Sequence, residues 1–262
     1  MHILICGDIV GRSGRDAVAA LLPRLKQEHK VDFAIVNVDN AAHGFGTTPD
    51  LCRQIYNAGA DAVTLGNHGF DQREMLAHVD GDSKTIRAIN YPPGCPGRGS
   101  QVFTLANGQK LLVIHALGRL FMDDMDCPFR ALDQELAKHT LGQSVQAIVV
   151  DFHAEATSEK NSFGHHLDGR VSAVVGTHTH IPTADARILT GGTAFQTDIG
   201  MCGDFDSVIG FDKTLPIQRF LRKLPTEKLQ PASGPGTLCA TLIETDDKTG
   251  LAKAITPLQI KN

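Results

Sequence analysis

The chain has 262 residues, 42% hydrophobic and 21% charged, with a net charge of −4. That length can enclose a sizeable core, and a mildly acidic balance with no basic stripe excludes electrostatic binding to bulk DNA or RNA. No stretch approaches the roughly 20 apolar residues of a membrane span, and the N-terminus lacks a basic n-region and a small-residue cleavage site, so a cytoplasmic protein without membrane contact is expected.

In chain order, residues 2–8 (HILICGD) form a short β-branched run closed by Gly7 and Asp8. Residues 14–30 carry apolar positions at helical spacing, and 32–40 (DFAIVNVDN) again reads as a strand. Residues 48–59 predict a helix with Pro49 in its first turn and Gly59 at its stop; 61–68 (DAVTLGNH) is a third strand. This alternation signals βαβ units in a mostly parallel sheet, where ligands gather outside the carboxyl ends of strands. Further on, 101–117 predicts a hairpin around Asn107-Gly108, and 129–139 a helix. Residues 145–155, 170–180 and 193–200 read as strands, 225–236 as a loop, and the last two runs frame a turn at 247–250. The class is α/β, with a second block of mixed strands and no domain linker.

The polar residues fall at strand ends. These ends supply Asp8, Asp39, Asn40, Asn67, His68, His153, His178 and His180. His178 and His180 stand two apart after VVG, so an extended backbone would point both imidazoles the same way. One such end is unremarkable; five drawn from the same ligand-capable types are not. Mixed nitrogen and oxygen donors without a thiol suit Mn²⁺, Fe²⁺ or Zn²⁺. The donors are too many for one ion with an open position and fit two cations sharing a carboxylate. Such a pair, roughly 3.5–4 Å apart, can clamp the attacking and leaving oxygens of a displacement at phosphorus, with a hydroxide between them as nucleophile.

Two other patterns compete. Gly7, Gly11 and Gly14 hint at a phosphate-cradling turn, but their spacing matches neither dinucleotide nor P-loop fingerprints. Cys6 and Arg12 have the spacing of a cysteine phosphatase, but Asp8 inside that cradle would repel phosphate. The six scattered cysteines include no CxxC pair and are expected as free thiols.

The blocks GD (7–8), GNH (66–68), DFHAE (151–155) and GTHTH (176–180), in that order, resemble the calcineurin-like metallophosphoesterases. The longer stretches GDIVGRSGRD, NAAHGFGTT, DGRVSAVVGTHTHIPTAD and TDIGM are similar to the YmdB-type subgroup, and the similarity runs through nearly the whole chain. The resemblance implies a single domain over 1–262, a central β-sandwich of two mixed sheets flanked by helices, and two divalent metal ions. One metal would take Asp8, Asn40 and His180, the other Asn67, His153 and His178, with Asp39 bridging. His68 would act on the leaving group as general acid or transition-state stabiliser. The implied activity is hydrolysis of small phosphodiesters such as 2′,3′-cyclic nucleotides. A phosphomonoesterase and a non-catalytic metal- or nucleotide-binding regulator are the alternatives, and oligomeric state is left open.

The chain departs from the family pattern at NHGF (67–70), which replaces an aromatic-bearing variant of that loop, and at two further places. The superfamily's second first-strand ligand falls on Val10, which cannot bind metal, and Asp39 stands where the subgroup has Glu. Among the remaining residues, His43 either touches the substrate phosphate or faces solvent. Asp71 could orient His68, and Glu155 and Ser158 could support His153. His165 and His166 are expected in a loop, His115 is read as structural, and Asp198 has no assigned role.

Overall fold

The computed structural model describes residues 1–225 and 227–262. Its first half runs β1 (His2–Cys6), β2 (Asp8–Ile9), α1 (Gly11–Glu28), β3 (Phe33–Asn37), α2 (Pro49–Asn57), β4 (Ala62–Thr64), α3 (Glu74–His78) and β5 (Thr85–Ile86). Then come β6 (Ser100–Thr104), β7 (Lys110–Leu117), α4 (Pro128–Leu136), β8 (Ala147–His153), α5 (Thr157–Leu167) and β9 (Ala173–Thr177). The chain closes with β10 (Arg187–Ile188), β11 (Ala194–Gln196), β12 (Met201–Asp204), α6 (Thr214–Arg222), β13 (Gly236–Thr245) and β14 (Ala252–Lys261).

Two mixed sheets result. One has the order β2-β12-β13-β1-β3-β4-β5, with β14 added on β13; the other is β10-β11-β9-β8-β7-β6. Strands β1, β3, β4 and β5 are parallel neighbours, as are β7, β8, β9 and β11, while β13 runs antiparallel to β1.

Period-two alternation builds the layers. Ile3, Ile5, Phe33 and Ile35 of the first sheet meet Leu111, Val113, Ala147, Val149, Ala173 and Val175 of the second. The opposite face of the first sheet, with Leu4, Cys6, Ala34 and Val36, packs on Val18, Leu22 and Leu25 of α1 and Ile55 of α2. The opposite face of the second, with Ile114, Val150, Phe152 and Val174, packs on Leu132 of α4 and on Phe163 and Leu167 of α5. This is the expected sandwich of two mixed sheets flanked by helices.

The inward-facing rows change character toward the strands' carboxyl ends. Ile35 is followed on its face by Asn37, Ala62 by Thr64, Val113 by His115, Val149 by Asp151 and His153, and Val175 by Thr177. All six of those polar residues are buried. The sandwich therefore ends in a polar floor, and the donor-bearing loops sit on it.

Several elements differ from expectation. Helix α1 begins at Gly11 rather than 14, and β9 ends at Thr177, before the two histidines. His165 and His166 lie on α5, not in a loop. That helix buries Lys160, Phe163, Gly164 and Leu167, so a lysine and a glycine stand within its buried stripe and mask the apolar period. Helix α6 leaves Ile217, Phe220 and Leu221 exposed. The loop expected over 225–236 ends at Gly236, which opens β13; residue 226 lies outside the described residues. Among the described residues, no helix is long and apolar enough to cross a membrane.

Candidate functional site

Three loops and two strands carry the candidate donors. Asp8 opens β2, and Asp39 and Asn40 follow β3. Asn67 and His68 follow β4, His153 ends β8, and His178 and His180 follow β9. The ring Nε2 of His153 lies 2.8 Å from Asn67 Oδ1, 3.1 Å from His178 Nδ1 and 3.4 Å from Asp39 Oδ2. His180 Nε2 lies 3.1 Å from Asn40 Oδ1. Asp8 Oδ2 accepts the His178 N–H at 2.8 Å, and its Oδ1 is 3.5 Å from His153 Nδ1. All seven candidate metal donors thus come together. Asp39, Asn40, His68, His178 and His180 open on a cavity of about 310 Å³, shared with Phe45, Glu155, Thr179, Ile209 and Phe211.

The pair His178 and His180 reaches this cavity by a route that strand periodicity does not describe. Both have left-handed backbones, with φ of 100° and 68°. Such values are costly for a residue with a Cβ and persist where surrounding bonds hold them. Here Lys160 Nζ donates to Thr177 O at 2.8 Å, Asp198 Oδ2 accepts the Thr179 N–H at 3.1 Å, and His180 Nδ1 meets Ile209 O at 2.7 Å. Asp198, which had no role from sequence, is thus a buried anchor of the loop, paired with buried Lys160 at 2.7 Å.

Electrostatics make the donor set suited to cations. Burial pushes the Asp8 carboxyl well above its ordinary value, with the charges of Asp198 and Asp39 adding and the His178 N–H opposing. Burial acts the same way on Asp39, but His153 and His68 outweigh it and hold that carboxyl below the usual range. Burial, reinforced by His153, presses His178 down to about 3, and burial also lowers His180. These two imidazoles are therefore neutral near pH 7, the form that ligates a metal. Asp8 Oδ1 is buried with no hydrogen-bond partner, an orphan acceptor amid neutral nitrogen and oxygen donors. That chemistry fits divalent cations. Among the described residues, no group of three or more His, Cys, Asp and Glu side chains forms a cation site by itself. Two of the contacts that tie this cluster, His153–Asn67 and His180–Asn40, run through amide oxygens.

His68 sits at the cavity edge. Its N–H donates to Asp39 Oδ1 at 2.7 Å, its Nδ1 faces Asp71 Oδ2 at 2.8 Å, and its ring meets Phe45 edge-on at 5.2 Å. Glu155 Oε2 is 3.2 Å from His178 Nε2, so Glu155 supports His178 rather than His153. Ser158 lies on α5. His43 does not line the cavity: it is exposed, with φ of 54°, in the turn after Asn40. Phe45, two residues on, lines it instead, packed 5.5 Å from Phe211. Phe45, Ile209 and Phe211 escaped sequence reading because apolar residues are read first as core; the only signal was Phe45's place just after two donors.

The competing patterns also resolve. Cys6 is buried and pushed up to about 12 by burial and by Cys239, far from a thiolate nucleophile. Gly7 and Gly14 are packing positions, since a Cβ would fall 1.8 Å from Gly200 O and 2.0 Å from Cys202 O.

A family model described as YmdB-like protein matches residues 4–258. A 2′,3′-cyclic-nucleotide 2′-phosphodiesterase of Bacillus subtilis is 44% identical over 262 residues, covering 100% of this chain and 98% of that protein. Among solved structures, a hypothetical protein from Thermus thermophilus superposes with a TM-score of 0.93 at 40% identity, covering 100% of both chains. A phosphatase from Mycoplasma pneumoniae superposes with a TM-score of 0.92 at 32% identity, covering 100% of this chain and 93% of that one.

Proposed function

The chain belongs to the family described as YmdB-like protein, and from that premise we propose that it is a metal-dependent phosphodiesterase acting on 2′,3′-cyclic nucleotides, with residues 1–262 as one metallophosphoesterase domain. The observation that carries the metal reading is the orphaned Asp8 Oδ1, buried without a hydrogen-bond partner 3.5 Å from His153 Nδ1. The similarity to the Bacillus subtilis phosphodiesterase carries the substrate class.

Asp8, Asn40 and His180 would hold one cation, and Asn67, His153 and His178 the other, with Asp39 between them. Manganese or iron suits these donors best, zinc next. When bound, such cations neutralise phosphoryl oxygens and activate water for in-line attack.

The protein's own residues do the rest. Asp71 faces His68 Nδ1 and leaves Nε2 toward the cavity. In its protonated form, His68 gives that Nε2 proton to the departing ribose oxygen. Glu155 fixes the ring of His178 through Nε2. Phe45 and Phe211 wall the cavity against bulk water. Asp39 Oδ1 accepts the His68 N–H and its Oδ2 lies 3.4 Å from His153 Nε2, so the shorter carboxylate in place of Glu still reaches the His153 side of the cluster. All six cysteines are free, which suits the reducing cytoplasm.

The test is turnover. Protein loaded with Mn²⁺ or Fe²⁺ should hydrolyse bis-p-nitrophenyl phosphate and a 2′,3′-cyclic nucleotide, and His178→Ala should lose one cation. His68→Ala should keep both and slow the reaction. Absence of turnover with every divalent metal would overturn the reading in favour of a binding protein; phosphate release from nucleoside monophosphates alone would favour a monoesterase.

A further inference from the structure

Apart from His153, the polar floor beneath the donors has no part in the scheme above, yet its hydrogen bonds converge on one carboxylate. Asp151 Oδ2 accepts from Thr64 Oγ1 at 2.6 Å and from Asn37 Nδ2 at 3.0 Å, and Oδ1 accepts from Thr177 Oγ1 at 2.7 Å. His115 Nδ1 lies 3.1 Å from the Asp151 carbonyl oxygen and 3.3 Å from Oδ2. Every one of these residues is buried. A group surrounded by donors on both oxygens is an acceptor-only carboxylate.

We propose that Asp151 is a positioning residue that sets the tautomer of His153 and the placement of Asn67 and Asp39 for cation binding.

The proton count shows how. Thr177 has one hydroxyl proton, and Asp151 takes it. The Thr177 oxygen can then only accept from His153 Nδ1, 2.9 Å away. His153 therefore carries its proton on Nδ1 and turns the Nε2 lone pair toward Asn67 Oδ1 at 2.8 Å. Two acceptors facing each other at that distance repel, and a shared cation relieves the repulsion.

The same logic runs through two further arms. His115 Nε2 accepts the Gly66 N–H at 3.0 Å, so its own proton sits on Nδ1, on the Asp151 side. Gly66 is the residue before Asn67. Asn37 gives its amide N–H to Asp151, and its Oδ1 accepts the Asp39 N–H at 2.9 Å. One buried carboxylate thus reaches three donors by three routes. Outer partners of this kind fix ligand orientation, and their loss costs about 10–100-fold in metal affinity.

The proposal rests on the metal-binding reading of the site but not on turnover. Thr177→Val keeps the volume and removes the hydroxyl, while Thr177→Ser keeps the hydroxyl. Asp151→Asn is the companion variant, but it can fail to fold, so the Thr177 pair carries the test, with circular dichroism as the folding control. Two-bond ¹H–¹⁵N spectra of the cation-free protein read the His153 tautomer, and equilibrium dialysis with metal analysis reads Mn²⁺ binding. Wild type and Thr177→Ser should show His153 protonated at Nδ1 and bind two Mn²⁺. Thr177→Val should populate the Nε2–H form and bind one Mn²⁺ about 10–100-fold more weakly. An unchanged tautomer and unchanged affinities in Thr177→Val would overturn the proposal alone. Wild type that binds Mn²⁺ without hydrolysing any phosphodiester would overturn only the proposed reaction, and wild type that binds no Mn²⁺ would overturn both.

Discussion

The buried pair Lys160–Asp198 offers a direct test of how the left-handed histidine loop is held. Both side chains are about 1% exposed, and Nζ meets Oδ2 at 2.7 Å. Lys160→Met fills similar space but removes the ammonium. It removes the lysine's bond to the Thr177 carbonyl, which still accepts the Ala154 N–H at 3.4 Å, and leaves the Asp198 carboxylate with only the N–H groups of Thr179 and Gly200. Removing one partner of a buried ion pair costs about 3–5 kcal/mol. The two remaining N–H bonds place the expected loss at the lower end, about 3 kcal/mol. For a chain of this size each kcal/mol lowers Tm by about 2–4 °C, so a fall of about 6–12 °C is expected. Urea unfolding followed by circular dichroism, at constant m, measures the loss. The double variant Lys160→Met/Asp198→Asn should cost less than the sum of the singles, because the second change removes the charge stranded by the first. A loss below about 1 kcal/mol in Lys160→Met, or strict additivity in the cycle, would refute the assignment of this pair as the anchor.

Gly66 has φ of 65°, and a Cβ there would lie 2.3 Å from the Asp39 carboxylate. Gly66→Ala should therefore displace Asp39 and abolish Mn²⁺ binding by equilibrium dialysis; two bound ions in this variant would contradict the geometry. In cation-free protein, His178 is held near 3 while its unfolded imidazole titrates near about 6.5. The unfolded chain thus takes up a proton first as pH falls. This share of stability is whole above about pH 6.5 and drains toward about pH 3, with about 2 kcal/mol gone at about pH 5. Urea midpoints of wild type and His178→Gln should diverge by that amount between about pH 7.5 and about pH 5, and parallel declines would refute it. Asp8 is buried with a strongly raised pKa and an unpaired oxygen. Asp8→Asn should therefore leave cation-free Tm unchanged or higher while losing part of the Tm gain on adding Mn²⁺, which is about 2.7 kcal/mol per site at a hundredfold excess over Kd. A full gain in the variant would exclude Asp8 as a ligand.

What could be read from the residues alone was set by local, repeating constraints. Near-continuous apolar runs such as 2–6 and 33–37 declare strands buried on both faces. Thr48-Pro49 declares a helix start, and Thr48 does accept the Leu51 N–H. The donor types at the strand ends pointed to a metal site because ligand chemistry admits few side chains. The hidden parts depend on partners distant in sequence. Lys160 can belong to a buried helix face only because Asp198 neutralises it, 38 residues on. His178 and His180 can be left-handed only because Asp8, Asp198 and Ile209 hold that loop. Asp151 looked like an ordinary strand residue, and its place as a hub required β3, β4, β7 and β9 to bring Asn37, Thr64, His115 and Thr177 around it. Periodicity reports which face a side chain takes, whereas the partner that makes a buried charge or a costly backbone tolerable exists only after the sheets have stacked.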